Sequence, residues 1–250
     1  MLKIIEWPLS ELASQEERQH REQLGPERYS KEYLIGKWTH KKVAQHFQAL
    51  IKTTGVQFSG QIVELGAGSC WLSSLLSRLD KVERVYAIEL SRRRLELMAP
   101  LAFEHFGARP ERIVLVAGDL NRLELADGSM DFAVASGSIH HTPDLLAAFK
   151  ETWRVLKPRG KLLFFRENTK PLLRKLDEKY VKQGERWASH LDFYYTKAQY
   201  LRALQQAGFA PLELSTTPLI FSLAPPGEGS SSTGHPYGIS TAGTSLILFM

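Results

Sequence analysis

Cysteine is nearly absent from this sequence: Cys70 stands alone, which excludes an internal disulfide and a cysteine-based zinc cluster. Long hydrophobic runs are missing too, none approaching the ~18 residues that a membrane-crossing helix needs. Met1 to Ser10 lacks the apolar core of a secretory signal, so the expected compartment is the reducing cytoplasm. There is no internal repeat. A strong charge of one sign is lacking as well. The net charge of +5 and the sequence pI of about 9.2 make a mild, dispersed basic balance. Such a balance reads as solvated faces rather than a nucleic-acid surface. What is present, 43% hydrophobic and 24% charged residues over 250 positions, suits one domain with a sizeable core, or a core plus a small appendage.

The stretch around Gly66 organises the rest. Ile62, Val63 and Leu65 read as a strand, Gly66 and Gly68 as a tight turn, and Trp71 to Leu79 as a helix. A strand, a glycine turn and a helix in that order open a nucleotide-binding α/β fold. Glycines there let the backbone approach a ligand where a Cβ would collide. A dinucleotide fingerprint needs a third glycine, but Trp71 stands in its place. Glu89 ends a second apolar run, where an acid can hold the two hydroxyls of a ribose.

Before this stretch, Ser10 to Leu24 reads as an exposed polar helix ended by Gly25-Pro26. Ser30 is expected to cap one helix running to about Thr53, with Val43, Phe47, Leu50 and Ile51 as its buried stripe. Tyr29, Tyr33 and Trp38 precede that stripe, either packing the helix on the core or forming a lid that excludes water. Beyond Gly60, strands and helices alternate: strands at Arg84–Glu89, Arg112–Ala117, Met130–Ser136 and Lys161–Arg166, helices at Arg92–Phe106 and Pro143–Leu156. The rhythm predicts a parallel sheet covered on both faces. Ligands of such sheets sit beyond the carboxyl ends of the strands, and these ends carry Glu64, Glu89, Asp119, Ser136 and Glu167. After Arg166 the rhythm breaks. Leu172, Leu173, Leu176 and Tyr180 share a helical face, Thr196 caps a helix ended by Gly208, Pro211–Ile220 reads as a strand, and Ser245 to Met250 as the last one.

From Glu64 to Gly160 the chain resembles the class I S-adenosylmethionine (SAM) methyltransferases of the type 11, UbiE-like small-molecule group. The residues that carry the resemblance are Val63-Glu64-Leu65-Gly66-Ala67-Gly68, Ala87-Ile88-Glu89-Leu90-Ser91, Ala117-Gly118-Asp119-Leu120, Asp127 to Phe132, Ser138 to Asp144 and Arg154 to Gly160, in order over about two fifths of the chain. Rhythm and resemblance together lead to an α/β expectation: a Rossmann-like, doubly wound, seven-stranded, mostly parallel sheet with an antiparallel last strand. An N-terminal helical lid (1–55) would precede the SAM-binding core (56–250). That core would hold an inserted helical cap (167–195) and a flexible loop (223–244).

The resemblance implies roles. Glu64 with Gly66, Ala67 and Gly68 would place the methionine end of SAM, Glu89 and Leu90 would hold the ribose, Asp119 and Leu120 the adenine, and the Ser136 carbonyl the ammonium. The chemistry agrees, because a buried carboxylate needs donors and this cofactor offers hydroxyls, an amine and an ammonium. No metal is expected. Asp127-Gly128 and Asp131 read as a turn. Two positions depart from the family pattern. Cys70 stands where glycine is common, tolerable if it enters the helix with negative φ, and Arg159 replaces the first glycine of the usual Pro-Gly-Gly turn, leaving the turn type open.

Methyl transfer is an in-line displacement that needs a dry site, an aligned lone pair and sometimes a base. His141 and His140 follow the fourth core strand and are the candidate bases, with a packed structural histidine as the alternative. Tyr29, Tyr33, Glu167, Trp187 and Tyr194 are candidates to line the acceptor pocket. No Asn/Asp-Pro-Pro-aromatic run begins near Ser136, which argues against methylation of base amino groups. The expected partner is a small-molecule acceptor, methylated at oxygen or nitrogen, with neither nucleic acid nor membrane. Methylation of RNA or protein, or a non-catalytic binding module, remain the alternatives.

Overall fold

A computed structural model of the protein describes residues 2–11, 13–15, 17–18, 25–165, 167, 195–213, 220–223 and 247–248. Its centre is the sheet. Strands β1 (Ile4–Glu6), β2 (Gly60–Leu65), β3 (Val82–Glu89), β4 (Ile113–Ala117), β5 (Met130–Ser136) and β6 (Leu156–Phe165) lie in the order β1-β4-β3-β2-β5-β6, every neighbouring pair parallel. The chain winds outward from β2 on one side through β3 to β4, and on the other through β5 to β6. The order therefore reverses between β2 and β5, the switch point at which such sheets bind ligands.

Helices cover both faces, which is why the strands read as continuous apolar runs. On one face α1 (Lys31–His40), α2 (Val43–Thr54), α3 (Trp71–Ser77) and α4 (Arg92–Phe106) bring Trp38, Phe47, Leu50, Leu72, Leu76 and Met98 against Ile62, Val85 and Val134. On the other, α5 (Leu145–Val155) and α6 (Lys197–Gln206) bring Phe149, Tyr200 and Leu204 against Val63, Ala133, Leu162 and Phe164. Caps set helix ends: Ser30 accepts from the Tyr33 amide, Asp144 from the Ala147 amide, and Thr196 forms a reciprocal box with Gln199. Arg154 spans from α5 to the carbonyls of Leu123 and Leu125 (2.7 and 2.8 Å) and pairs with Asp127 and Glu151, pinning the connection before β5.

The structure corrects the expected sheet, since a seven-stranded sheet with an antiparallel last strand does not form. The six strands β1 to β6 are all parallel, and one of them, β1, is a short edge strand unread from the sequence that covers the open side of β4. The antiparallel strand is not the last. β8 (Ile220–Leu223) runs against Lys161 and Leu162 in the middle of β6, with β7 (Phe209–Glu213) antiparallel to β8 beyond it, where the sequence predicts one strand over Pro211–Ile220. The last strand, β9 (Ile247–Leu248), pairs parallel with Leu163 and Phe164. The outer edge of the ten-residue β6 is long enough to serve two short partners. The helix expected from Ser30 to Thr53 is likewise two helices. Lys42 between them takes φ 48°, and one continuous helix cannot pass through that left-handed residue. Residues 11, 13–15 and 17–18 are helical as expected, but Ala13 and Glu17 are buried, so this helix has a packed face.

Candidate active site

Parallel register lines the strand ends up along one edge. Leu65 lies opposite Ile88 and Ala135, Glu89 opposite Ala117, and Ser136 opposite Phe165. Whatever follows these residues is delivered to the same edge, beside the switch point. Glu64, Glu89, Asp119 and Glu167 are all buried there, and Ser136 is half-buried. Four carboxylates at one sheet edge need donors, and the structure shows what each one holds.

The glycine turn comes first. Gly66 takes φ 72°, and a Cβ on it would lie 2.5 Å from the Cβ of Ser138. This position is closed to other residues both by conformation and by space. The Ser138 hydroxyl donates to the Leu65 carbonyl at 2.5 Å and so closes β2 onto the turn after β5. The Ala67 amide bonds the Ile88 carbonyl at 2.7 Å, and Gly68 follows at φ 54°. Cys70, at the start of α3, takes φ 61° rather than the negative value expected, so it holds the glycine conformation without being glycine. That strain is of order 1–2 kcal/mol. Its thiol is buried, and burial beside Glu64 and Glu89 pushes it well above the ordinary range, which fits a packed group rather than a nucleophile. Arg159 repeats the pattern, at φ 69°. Both departures from glycine thus keep a glycine-like backbone.

Cys70 gives α3 no side-chain cap, and Glu64 supplies one from the strand. Its Oε2 accepts from the Ser73 amide at 2.9 Å and from the Ser73 hydroxyl. A carboxylate there also meets the positive end of the helix dipole. Burial nevertheless pushes Glu64 up to about 8, with Glu89 adding to the rise and the Ser73 bonds opposing it. Glu89 does similar work one strand over: Oε2 accepts from the Gly68 amide at 2.8 Å and Oε1 from the Ser91 amide at 3.1 Å, with Arg94 at 3.6 Å. Asp119 accepts from the Asn121 amide at Oδ1 (2.8 Å) and the Ser10 hydroxyl at Oδ2 (2.9 Å). A carboxylate offers about four lone-pair sites. Each of these three therefore has capacity for hydroxyl, amine or ammonium donors of a ligand, which is the donor set of SAM. Leu90 and Leu120, beside Glu89 and Asp119, are half-buried.

At the other end of the edge, Glu167 holds the turn Ile139–His141. Its Oε1 accepts from the amides of Ser138 (2.8 Å) and Ile139 (3.3 Å), and its Oε2 lies 3.1 Å from Nδ1 of His140. Burial by itself would raise this carboxyl, but the bond and charge of His140 with the two amides hold it below the ordinary value. The His140 and His141 rings sit 4.2 Å apart, with His140 buried and His141 half-buried. The Tyr200 phenol is raised by burial, then by the charge of Glu167, and Tyr195 reaches the carbonyls of Thr142 and Pro143 at 2.8 and 3.0 Å. The histidine turn is thus fixed from β6 and from the start of α6.

The remaining candidates are more scattered. Tyr29 is buried with Leu34 and Trp38, Arg93 lying 5.4 Å over its ring, whereas Tyr33 is 39% exposed. Trp38 donates to the Ser69 hydroxyl at 3.1 Å and so fastens α1 to the glycine turn. Trp187 and Tyr194 lie outside the described residues. Asp131 accepts from the Gln61 amide (2.9 Å) and Lys157 (2.8 Å), a structural tie between strands. Among the described residues, no group of three or more His, Cys, Asp or Glu side chains is placed to hold a metal, and no helix is long and apolar enough to cross a membrane. Sequence reasoning missed Ser10 and Ser73, because a lone serine carries no signal until the fold sets it beside a carboxylate.

Residues 63–164 match the methyltransferase domain family. Among curated relatives, demethylmenaquinone methyltransferase of Staphylococcus epidermidis is 28% identical over 146 residues, and the chain spans only 57% of its length. Malonyl-[acyl-carrier protein] O-methyltransferase of Geobacter sulfurreducens is 29% identical, covering 70% of this chain and 64% of that protein. Two solved structures share the fold. A protein of Bacillus halodurans superposes with a TM-score of 0.58 at 23% identity, covering 70% of this chain and 73% of its own. A SAM-dependent methyltransferase of Mesorhizobium loti gives 0.51 at 20% identity, covering 66% and 81%. Over residues 63–164 the chain is thus similar to methyltransferase domains, and the structural likenesses carry the Rossmann-like fold.

Proposed function

We propose that the protein methylates a small-molecule acceptor, at oxygen or nitrogen, with SAM bound along the carboxyl edge of the sheet. The observation that carries this reading is the line of Glu64, Glu89 and Asp119, buried at three neighbouring strand ends, each with lone pairs to spare beside a turn whose Gly66 admits no Cβ. Bound there, SAM would supply an electrophilic methyl on a sulfonium sulfur. Glu64 with the turn 66–68 would face the ammonium end, Glu89 the ribose hydroxyls, Asp119 the adenine amine and Leu120 the ring beside it, while the Ser136 carbonyl would accept from the ammonium. An ammonium beside Glu64 would draw its carboxyl back toward the ionised form.

The turn Ile139–His141, held by Glu167 beyond the end of β6, would face the acceptor. His141, the more exposed of the pair, is the candidate base, and His140 with Glu167 fixes its turn. Residues 1–55 would act as the lid, Trp38 fastening them to the glycine turn. The relatives named for demethylmenaquinone and malonyl-[acyl-carrier protein] support a small or carrier-borne acceptor, the second of them methylated at oxygen. The test is calorimetric titration with SAM and S-adenosylhomocysteine, followed by methyl-transfer assays on phenols, hydroxy acids, amines and acyl thioesters. Micromolar binding with turnover on one class supports the proposal. Absence of binding by either cofactor form would overturn it.

A further inference from the structure

The N-terminal strand brings one more residue to the site. β1 runs parallel to β4 with Glu6 opposite Ala117, and the Trp7 amide adds another rung on the Ala117 carbonyl at 2.9 Å. Residues 7–10 therefore leave the sheet at the same edge as Gly118 and Asp119. Trp7 lies over Gly118 so closely that a Cβ there would come within 2.7 Å of its indole ring. Ser10 then does two things with one hydroxyl. Its oxygen accepts from the Ala13 amide at 3.1 Å, capping the helix that starts at residue 11, and its proton goes to Oδ2 of Asp119 at 2.9 Å. A hydroxyl has a single proton. With the cap taking a lone pair, that proton is committed to Asp119.

This bond matters because a carboxylate turns easily about its last torsion, whose energy profile is broad. Among the described residues, the Asn121 amide tethers one oxygen of Asp119; Ser10 tethers the other and sets the plane of the group. The chain Ala13 amide to Ser10 hydroxyl to Asp119 carboxylate also joins the first turn of the N-terminal helix to the adenine subsite in one hydrogen-bonded series. We propose that Ser10 is a positioning residue for recognition of the adenine amine, and that through it the N-terminal helix and the adenine subsite stabilise one another. This rests on the SAM reading of the site.

Three substitutions separate the roles of Ser10. Ser10→Asp keeps an acceptor for the cap but removes the donor to Asp119, Ser10→Ala removes both, and Ser10→Thr keeps both. Calorimetry with S-adenosylhomocysteine and with its 6-oxo counterpart, which lacks the amine, reads the effect. The wild type is expected to prefer the adenine form. In Ser10→Asp and Ser10→Ala that preference should fall by roughly tenfold, the size of one charge-assisted hydrogen bond. Ser10→Thr should restore it to within about threefold. A role confined to folding would weaken both ligands alike and leave the preference intact. Hydrogen exchange without ligand tests the other half: Asp119→Asn should speed exchange in the peptide from Trp7 to Gln15. Wild-type discrimination unchanged in both Ser10→Asp and Ser10→Ala, or exchange unaltered by Asp119→Asn, overturns the inference while the methyltransferase reading stands. Failure of the wild type to bind either ligand overturns both.

Discussion

Replacing Glu167 by glutamine tests whether the histidine turn is held by a buried charge. The carboxylate receives two amides and faces His140, and its side chain is fully shielded from water. Glutamine keeps one oxygen for the Ser138 and Ile139 amides but sets an NH2 group against His140. The loss is one hydrogen bond to a charged group, about 1.5–3 kcal/mol, plus part of the cost of leaving the partner of a buried pair unmatched, where deletions reach ~3–5 kcal/mol. We expect about 3 kcal/mol of lost stability for Glu167→Gln at pH 7, and more for Glu167→Ala, which strands all three donors. Urea unfolding followed by circular dichroism measures it. The pH dependence has a definite sign. Because the folded-state value of Glu167 is depressed, its contribution is present above the unfolded carboxyl range and lost as pH falls through the folded value. The gap between wild type and Glu167→Gln should therefore be full at neutral pH and close in acid. A gap under about 1 kcal/mol at pH 7, or one that stays constant into acid, would refute the argument.

Glu64 behaves in the opposite sense. With its folded value raised to about 8, the folded protein holds a proton that the unfolded chain releases above the ordinary 4.5, so its contribution to stability falls as pH rises between those values. Glu64→Gln should flatten that decline in a series of unfolding curves. For the same reason SAM binding at pH 7 should release a proton, seen as a calorimetric enthalpy that varies with the ionisation enthalpy of the buffer. Glu89→Ala is expected to weaken S-adenosylhomocysteine by roughly 1.5–3 kcal/mol, and unchanged affinity would mean that the ribose lies elsewhere. Arg159, exposed at φ 69°, should gain about 1 kcal/mol on replacement by glycine, a rise in Tm of ~2–4 °C by calorimetric scan.

The sequence carries the parallel core, the switch-point turn and the three buried acids beside it, because these depend on local pattern: apolar runs of strand length, glycines that a turn requires, and acids at strand ends. It does not carry β1, since three residues are too few to show a period, and their role is set by the bare edge of β4. The break at Lys42 is hidden because lysine gives no turn signal, and the chain takes a left-handed residue there without glycine or asparagine. The same holds for Cys70, where residue type favours a negative φ and the geometry of the turn prevails. Partners such as Ser10 and Ser73 are set by contacts across 109 and 9 residues, and no local pattern encodes them.

The stretch that matches the methyltransferase family, 63–164, contains the frame of the site but not the groups that fix its two ends. At the proposed adenine end, the Ser10 hydroxyl tethers Asp119. At the proposed acceptor end, the histidine turn is held by Glu167 and followed by carbonyls that bond Tyr195. Both sets of residues come from segments flanking the matched region, Ser10 donating to a carboxylate and Glu167 accepting from the amides and the histidine of a turn at the edge of the sheet. Glu64 and Glu89 are placed by their own strands and by nearby backbone amides, and Asp119 takes one further bond, from Ser10. A base and its acceptor require alignment to a fraction of an ångström. That alignment depends on the flanking segments, so acceptor choice in this protein should follow substitutions near Glu167 and Tyr195, while cofactor affinity follows Glu64, Glu89 and Asp119.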